Sequence, residues 1–218
     1  MQKENSKKEV TVVALMGFKK SGKTTSASFL KTYFQEDASI TVKQLSFSKA
    51  LKSSLSKEMN IDVNILNDHD KKEKYRMHMQ LHGDLLKEKF GNDFFVNEVS
   101  EEITALTAEA KLENKRLFII FDDVRFEQEA NFIRSFQKNI LIRIVRLHDG
   151  VTENTPDYDI KYNPVNHGKF HEDAHISEIA QNFIQADLRV YNGSNSLKSL
   201  HSILRMAMTT AKIRNSVY

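Results

Sequence analysis

The chain has 218 residues, of which 40% are hydrophobic and 28% charged, with no cysteine and a formal net charge of +3. That is enough apolar material for one cored domain, it excludes disulfides and thiolate chemistry, and three surplus positive charges do not make a nucleic-acid-binding surface. No window reaches the roughly 20 apolar residues of a membrane span, and the start MQKENSKKEV lacks a signal-like apolar stretch, so neither membrane nor export is expected.

Residues 1–9 read as a frayed leader. Val10 to Met16 (VTVVALM) is the first predicted strand and runs into Gly17-Phe-Lys-Lys-Ser-Gly-Lys-Thr24, which fits G-x-x-x-x-G-K-[ST] at every fixed position. Gly17 and Gly22 let successive N–H groups converge on phosphate oxygens, Lys23 supplies a mobile cation for the β and γ phosphates, and the Thr24 hydroxyl is suited to Mg²⁺. The donor-phosphate candidates are therefore Gly17, Lys19, Ser21, Gly22, Lys23, Thr24 and Thr25. A helix predicted over 23–36 completes the strand-loop-helix order and turns its positive end to the phosphates.

A second strand is predicted at 40–46. Ser46 to Lys52 then opens a helix that brings Lys49 and Lys52 beyond a strand end, where a phosphate could lie. Residues 60–69 read as an irregular connection. Lys71 to Phe90 carries a long helical pattern, with an interruption at Gly83 left open, in which Arg76 and Gln80 share a face towards the cleft. Gly91-Asn-Asp93 closes it, and a further helix follows at 94–112. Phe94 and Phe95 fit the core better than base stacking, with Phe95 the aromatic candidate for the acceptor region.

Arg116 to Phe121 (RLFIIF) is apolar throughout and is taken as the central strand. It runs into Asp122-Asp123-Val124-Arg125, where at least one carboxylate should serve a Mg²⁺ site and Arg125 a phosphate. A helix is predicted at 127–138 and a fourth strand at 139–147, in which Arg146, nearer the strand's end, is a better ligand candidate than Arg143. Residues 148–173 form a loop of about 25 residues, long enough to suggest a lid. Its histidines, with His175, match no tight zinc spacing. A short helix from 173 to about 182, a fifth strand at 188–191 and an amphipathic helix at 196–211 end the pattern. The elements predict an α/β fold with a five-stranded parallel sheet and helices on both faces.

GFKKSGKTT at 17–25, SFSKALK at 46–52, RMHMQLHGDLLKEKFGNDFFVNEV at 76–99, FDDVRFEQEA at 121–130 and DAHISE at 173–178, followed by VYNGSNSLKSL, resemble the phage-type deoxynucleoside monophosphate kinases, a branch of the P-loop nucleoside and nucleotide kinases. The resemblance implies a three-layer P-loop kinase fold, with a helical acceptor-binding region at 46–112 and a lid insertion. It implies ATP and Mg²⁺ as cofactors, with Lys23 and Thr24 on them and Asp123 as the strand-end acid. It places Lys52, Arg76 and Arg125 on the acceptor monophosphate or the transferred phosphoryl, Arg146 on the lid side, and adenine near Asn192 and Ser194. It implies catalytic roles for Lys23, Asp123, Arg125 and Arg146, and an acceptor site of Lys52, Arg76, Gln80, Phe95 and Arg125. Partners would be small-molecule nucleotides, with a homodimer left open, in the cytoplasm, a host's if the source is viral. Members often carry Asp after the loop lysine, Trp near Phe95 and Arg near Lys87; these departures bear on base specificity and acceptor contacts. The same architecture serves kinases of other phosphorylated acceptors, phosphomevalonate and dephospho-coenzyme A among them. A GTP switch is disfavoured because Asn114-Lys115 precedes a strand and lacks the later Asp.

Overall fold

The computed structural model describes residues 10–68, 70–147, 165–166, 169–170, 175–193 and 197–210. Five strands, β1 (Val10–Met16), β2 (Ile40–Leu45), β3 (Arg116–Phe121), β4 (Lys138–Arg146) and β7 (Leu188–Asn192), form one parallel sheet in the order β2-β3-β1-β4-β7. Each neighbouring pair in that sheet is parallel. The small strands β5 (Val165–Asn166) and β6 (Lys169–Phe170) pair separately as an antiparallel ribbon. The remainder of the lid-like loop at 148–173 lies outside the described residues.

β1, not β3, occupies the middle of the sheet, which corrects the sequence expectation. Both strands are apolar along nearly their whole length because both are covered on two faces, so apolarity alone does not order them. Alternate residues of these strands feed two cores. One holds Val12, Ala14, Ile119 and Phe121 against Phe95, Val99 and Ile103; the other holds Val13, Leu15, Phe118 and Ile120 against Leu30, Phe34 and Leu204. The period of two along each strand thus builds the three-layer α/β architecture.

Helices α1 (Lys23–Gln35) and α8 (Leu197–Thr210) pack on one face, and α5 (Phe94–Leu112) on the other. The expected irregular stretch at 60–69 contains a short helix, α3 (Val63–Asn67), started by the Asp62 side chain accepting from the Asn64 N–H. Its single buried residue, Leu66, gives no periodicity to read. The predicted helix at 71–90 divides into a 3₁₀ turn at Lys71–Tyr75 and an unbroken α4 (Arg76–Phe90). Gly83 does not interrupt α4; it is buried where Leu51 of α2 (Lys49–Met59) crosses it. α6 (Glu127–Arg134) stops short of its expected end, because the chain turns at Ser135 and buries Phe136. α7 is a single turn, Ile176–Ile179, running into a 3₁₀ turn at Ala180–Phe183. No helix among the described residues is long and apolar enough to cross a membrane.

Candidate active site

The loop between β1 and α1 requires glycine at two points. Gly17 has φ +143° and a Cβ there would collide with the Ile144 carbonyl oxygen; Gly22 has φ +105° and a Cβ there would meet the Asn192 amide. Asn192, at the end of β7, is buried and donates from Nδ2 to the Ser21 carbonyl oxygen at 2.9 Å. It supports the loop from the sheet side, and its amide is committed there rather than offered to an adenine. Ser194 lies outside the described residues. Lys23 folds back on its own loop, donating from Nζ to the Gly17 and Phe18 carbonyl oxygens at 2.6 and 2.8 Å. Burial, and then the neighbouring Arg125, push its pKa down to about 8. A cation held by carbonyls and disfavoured by its surroundings is one that phosphate oxygens would claim.

The two acids after β3 point in different directions, as successive residues of an extended chain do. Asp123 is consumed by the start of α2: its Oδ2 accepts from Ser46 Oγ at 2.6 Å and the Ser48 N–H at 3.0 Å, and its Oδ1 from the Phe47 N–H at 3.2 Å. Asp122 instead lies by Thr24. Burial and the adjacent Asp123 raise its pKa, while Thr24, Gln44 and Lys23 pull it back. Of the two acids, the structure places Asp122 beside the Thr24 hydroxyl, whereas Asp123, the strand-end acid that the resemblance implied, is engaged by the Ser46–Ser48 turn. A carboxylate held from water beside a second carboxylate and a threonine hydroxyl fits a hard divalent cation. Among the described residues no group of three or more His, Asp or Glu could hold a metal ion, and Mg²⁺ shared with nucleotide phosphates needs none.

A cavity of about 460 Å³ runs from the loop to the α4–α6 side of the fold. Lys19, Ser21, Lys23, Thr24 and Thr25 line its donor end, and Lys52, Arg76, Gln80, Phe95 and Arg125 line the rest, so the structure brings these sequence candidates together. It does not bring Arg146 with them. Arg146 is the last residue of β4, in register with Asn192, and borders a separate small pocket behind the loop with Gly17, Phe18 and Ser21. A role for it at the transferred phosphoryl is not part of this geometry.

The cations of the cavity differ in how far they are committed. All three nitrogens of the Arg76 guanidinium have carboxylate partners: Nε and Nη2 donate to Glu73 at 3.1 and 3.2 Å, and Nη1 to Glu178 at 3.2 Å. Glu73 also accepts from Lys19 at 2.8 Å, and the hydrogen bonds from Lys19 and Arg76 hold its pKa down to about 2. Among the described residues the Arg125 side chain donates only from Nη1, to Glu178 at 2.6 Å and Ser177 at 3.3 Å. Lys52 donates to Asn67 at 3.2 Å. Lys72, in the 3₁₀ turn, also faces the cavity, where burial and then Lys52, Arg76 and Arg125 lower its pKa. Lys72 and Glu73 were missed from the sequence because the run Lys71 to Lys74 reads as a solvated charge cluster. Glu178 lies in a segment whose spacing marks the resemblance without marking this contact.

Glu129 is a further buried acid on the same wall. Its Oε2 accepts from the Arg125 and Phe126 N–H groups at 2.7 and 3.1 Å, fixing the turn into α6. Burial, followed by the charge on Asp123, raises its pKa from 4.5 to about 7. The folded state then holds a proton that the unfolded state has released between pH 4.5 and 7, so this group's contribution to stability falls as pH rises through that window. Glu129→Gln is expected to flatten the decline in Tm between pH 5 and 8 relative to the parent protein. Thermal melts across that range check it, and an unchanged slope would mean that Glu129 is ionised throughout.

The phosphomevalonate kinase family model matches residues 15–140, more than half of the chain. No curated protein matches the sequence. Among solved structures, shikimate kinase from Aquifex aeolicus vf5 is similar over 91% of this chain and 96% of its own, at 14% identity and a TM-score of 0.40.

Proposed function

The chain belongs to the phosphomevalonate kinase family, which makes it a P-loop kinase, and from the lining of its cavity we propose that it transfers the γ-phosphoryl of ATP to the phosphate of a deoxynucleoside monophosphate, giving a dNDP and ADP. The observation that carries the acceptor assignment is the composition of the cavity beyond Arg125. The rings of Phe95 and Phe126 and the polar groups of Gln80 and Asp84 line one space. Aromatic side chains beside an amide and a carboxylate suit a flat heteroaromatic base with hydrogen-bonding edges, with the Lys87 ammonium over one face of the Phe126 ring.

The chemistry asks little of the protein beyond placement and charge. A phosphate monoester has a second pKa of about 6, so at neutral pH its dianion is already the nucleophile and needs no general base. An acceptor oxygen forms the new bond to the γ-phosphorus while the bridging bond to the β-phosphate oxygen breaks, and ADP leaves with that electron pair. Lys23 leaves its loop carbonyls for the β and γ oxygens, and the uncommitted edge of Arg125 holds the acceptor or transferred phosphoryl. Thr24 and Asp122 are the residues that would hold Mg²⁺, which when bound neutralises charge on the ATP oxygens.

A second reading, phosphomevalonate as acceptor, is favoured by the family match and by Lys87, whose ammonium lies 3.2 Å from the Phe126 ring centroid at the cavity wall, where a substrate carboxylate could meet it. Initial rates with ATP and a panel of dNMPs, NMPs and phosphomevalonate separate the two. At least one dNMP is expected to be turned over with a kcat/KM at least about a hundredfold above that of phosphomevalonate. The reverse order would give the acceptor site to phosphomevalonate.

A further inference from the structure

Arg125 is anchored at both ends. Glu129 fixes its main-chain N–H at 2.7 Å, and its Nη1 is held by Glu178 Oε1 at 2.6 Å and Ser177 Oγ at 3.3 Å. Among the described residues nothing hydrogen-bonds to its Nε or Nη2, the edge whose parallel N–H bonds match two oxygens of a phosphate. Arg76 is the opposite case. The matching edge is filled by Glu73, and its Nη1 reaches the same Glu178 Oε1 at 3.2 Å.

One carboxylate oxygen, on a side chain only 18% exposed, therefore holds two guanidinium groups from different elements. Burial pushes the Glu178 carboxyl up, but Arg125 and then Arg76 outweigh it and keep the group ionised. α7 itself is pinned across the cavity, since His175 bridges Asp84 at 3.0 Å and Ser177 at 2.9 Å. Without the Glu178 charge the two cations would face one another directly, and Arg125 would lose the contact that decides which edge it presents.

We propose that Glu178 is a positioning residue for phosphoryl transfer, acting through Arg125, and that Arg76 serves as its second counter-ion and not as a direct phosphate ligand. The inference rests on the reading of Arg125 as a phosphate ligand. A residue that acts only through a partner loses its effect when that partner is gone, so a double-mutant cycle is decisive.

Steady-state kinetics are measured on the full chain for Glu178→Ala, Arg125→Ala and the double variant, with rates normalised to sites titrated with ATP. Glu178→Ala is expected to raise KM for the monophosphate about tenfold, with KM for ATP changed less than about twofold. In the Arg125→Ala background the same substitution should change neither constant by more than about twofold. Multiplicative effects of the two substitutions, or a Glu178→Ala enzyme with parental acceptor KM, would overturn the proposal. If Glu178→Ala does not fold, Glu178→Gln, which keeps the shape and removes the charge, carries the same cycle with the same criteria. Should Arg125→Ala alone leave the acceptor KM unchanged, it is the phosphate role of Arg125 that fails, and the positioning role of Glu178 falls with it.

Discussion

Lys23→Ala is expected to lower kcat about a thousandfold or more while leaving Tm unchanged or raised. In the proposed reaction Lys23 is the cation that meets the γ-phosphoryl, and removing such a charge from a developing transition state costs orders of magnitude in rate. It is not a core residue. Its pKa of about 8 shows that burial and Arg125 disfavour its charge in the ligand-free fold, so its loss removes a cost of folding. Ordinary lysine-to-alanine changes at structural sites lower both activity and stability. Single-turnover rates with saturating ATP, beside thermal melts, check the pair of effects; near-normal turnover would remove the loop from the chemistry.

The second large effect separates neighbouring acids. Asp122→Asn is expected to cut kcat about a hundredfold, to raise the Mg²⁺ concentration giving half-maximal rate, and to leave Tm level or higher, because a desolvated carboxylate beside Asp123 is removed. Asp123→Asn should do the reverse. It weakens the hydrogen bonds that close the Ser46–Ser48 turn, costs about 1–3 kcal/mol of stability and leaves the Mg²⁺ titration where it was. Mg²⁺ titrations and melts on the two variants decide it. A shifted Mg²⁺ requirement in Asp123→Asn alone would return the metal to that residue.

These two acids also show where sequence reasoning stops. That a carboxylate ends a buried strand beside a phosphate loop is legible in RLFIIFDD, because a doubly covered strand must be apolar and must end where polar residues begin. Which carboxylate faces the loop depends on a parity of one residue, and a one-residue shift in an extended chain reverses the side a group points to. The loop at 17–24, the strands at 10–16 and 116–121 and the helix at 94–112 were legible for the same kind of reason: fixed motif spacing in the first case, strong periodicity in the others. Arg146 is a ligand candidate by its place at a strand's end and Asn192 by the resemblance, yet the sheet order puts both beside the loop and outside the main cavity. The ion pairs of Glu73 and Glu178 bind residues up to 102 positions apart, and no local pattern encodes such contacts.

The transfer itself is tested most directly by following the label of [γ-³²P]ATP in a reaction with a deoxynucleoside monophosphate. The label is expected in the β-phosphate of the dNDP, in amounts equal to the ADP formed, and to be absent from that product when Lys23 is replaced by Ala. Label recovered only as inorganic phosphate, or, when phosphomevalonate is offered in a parallel reaction, in its phosphorylated product while no dNDP is labelled, would contradict a nucleotide acceptor at this site.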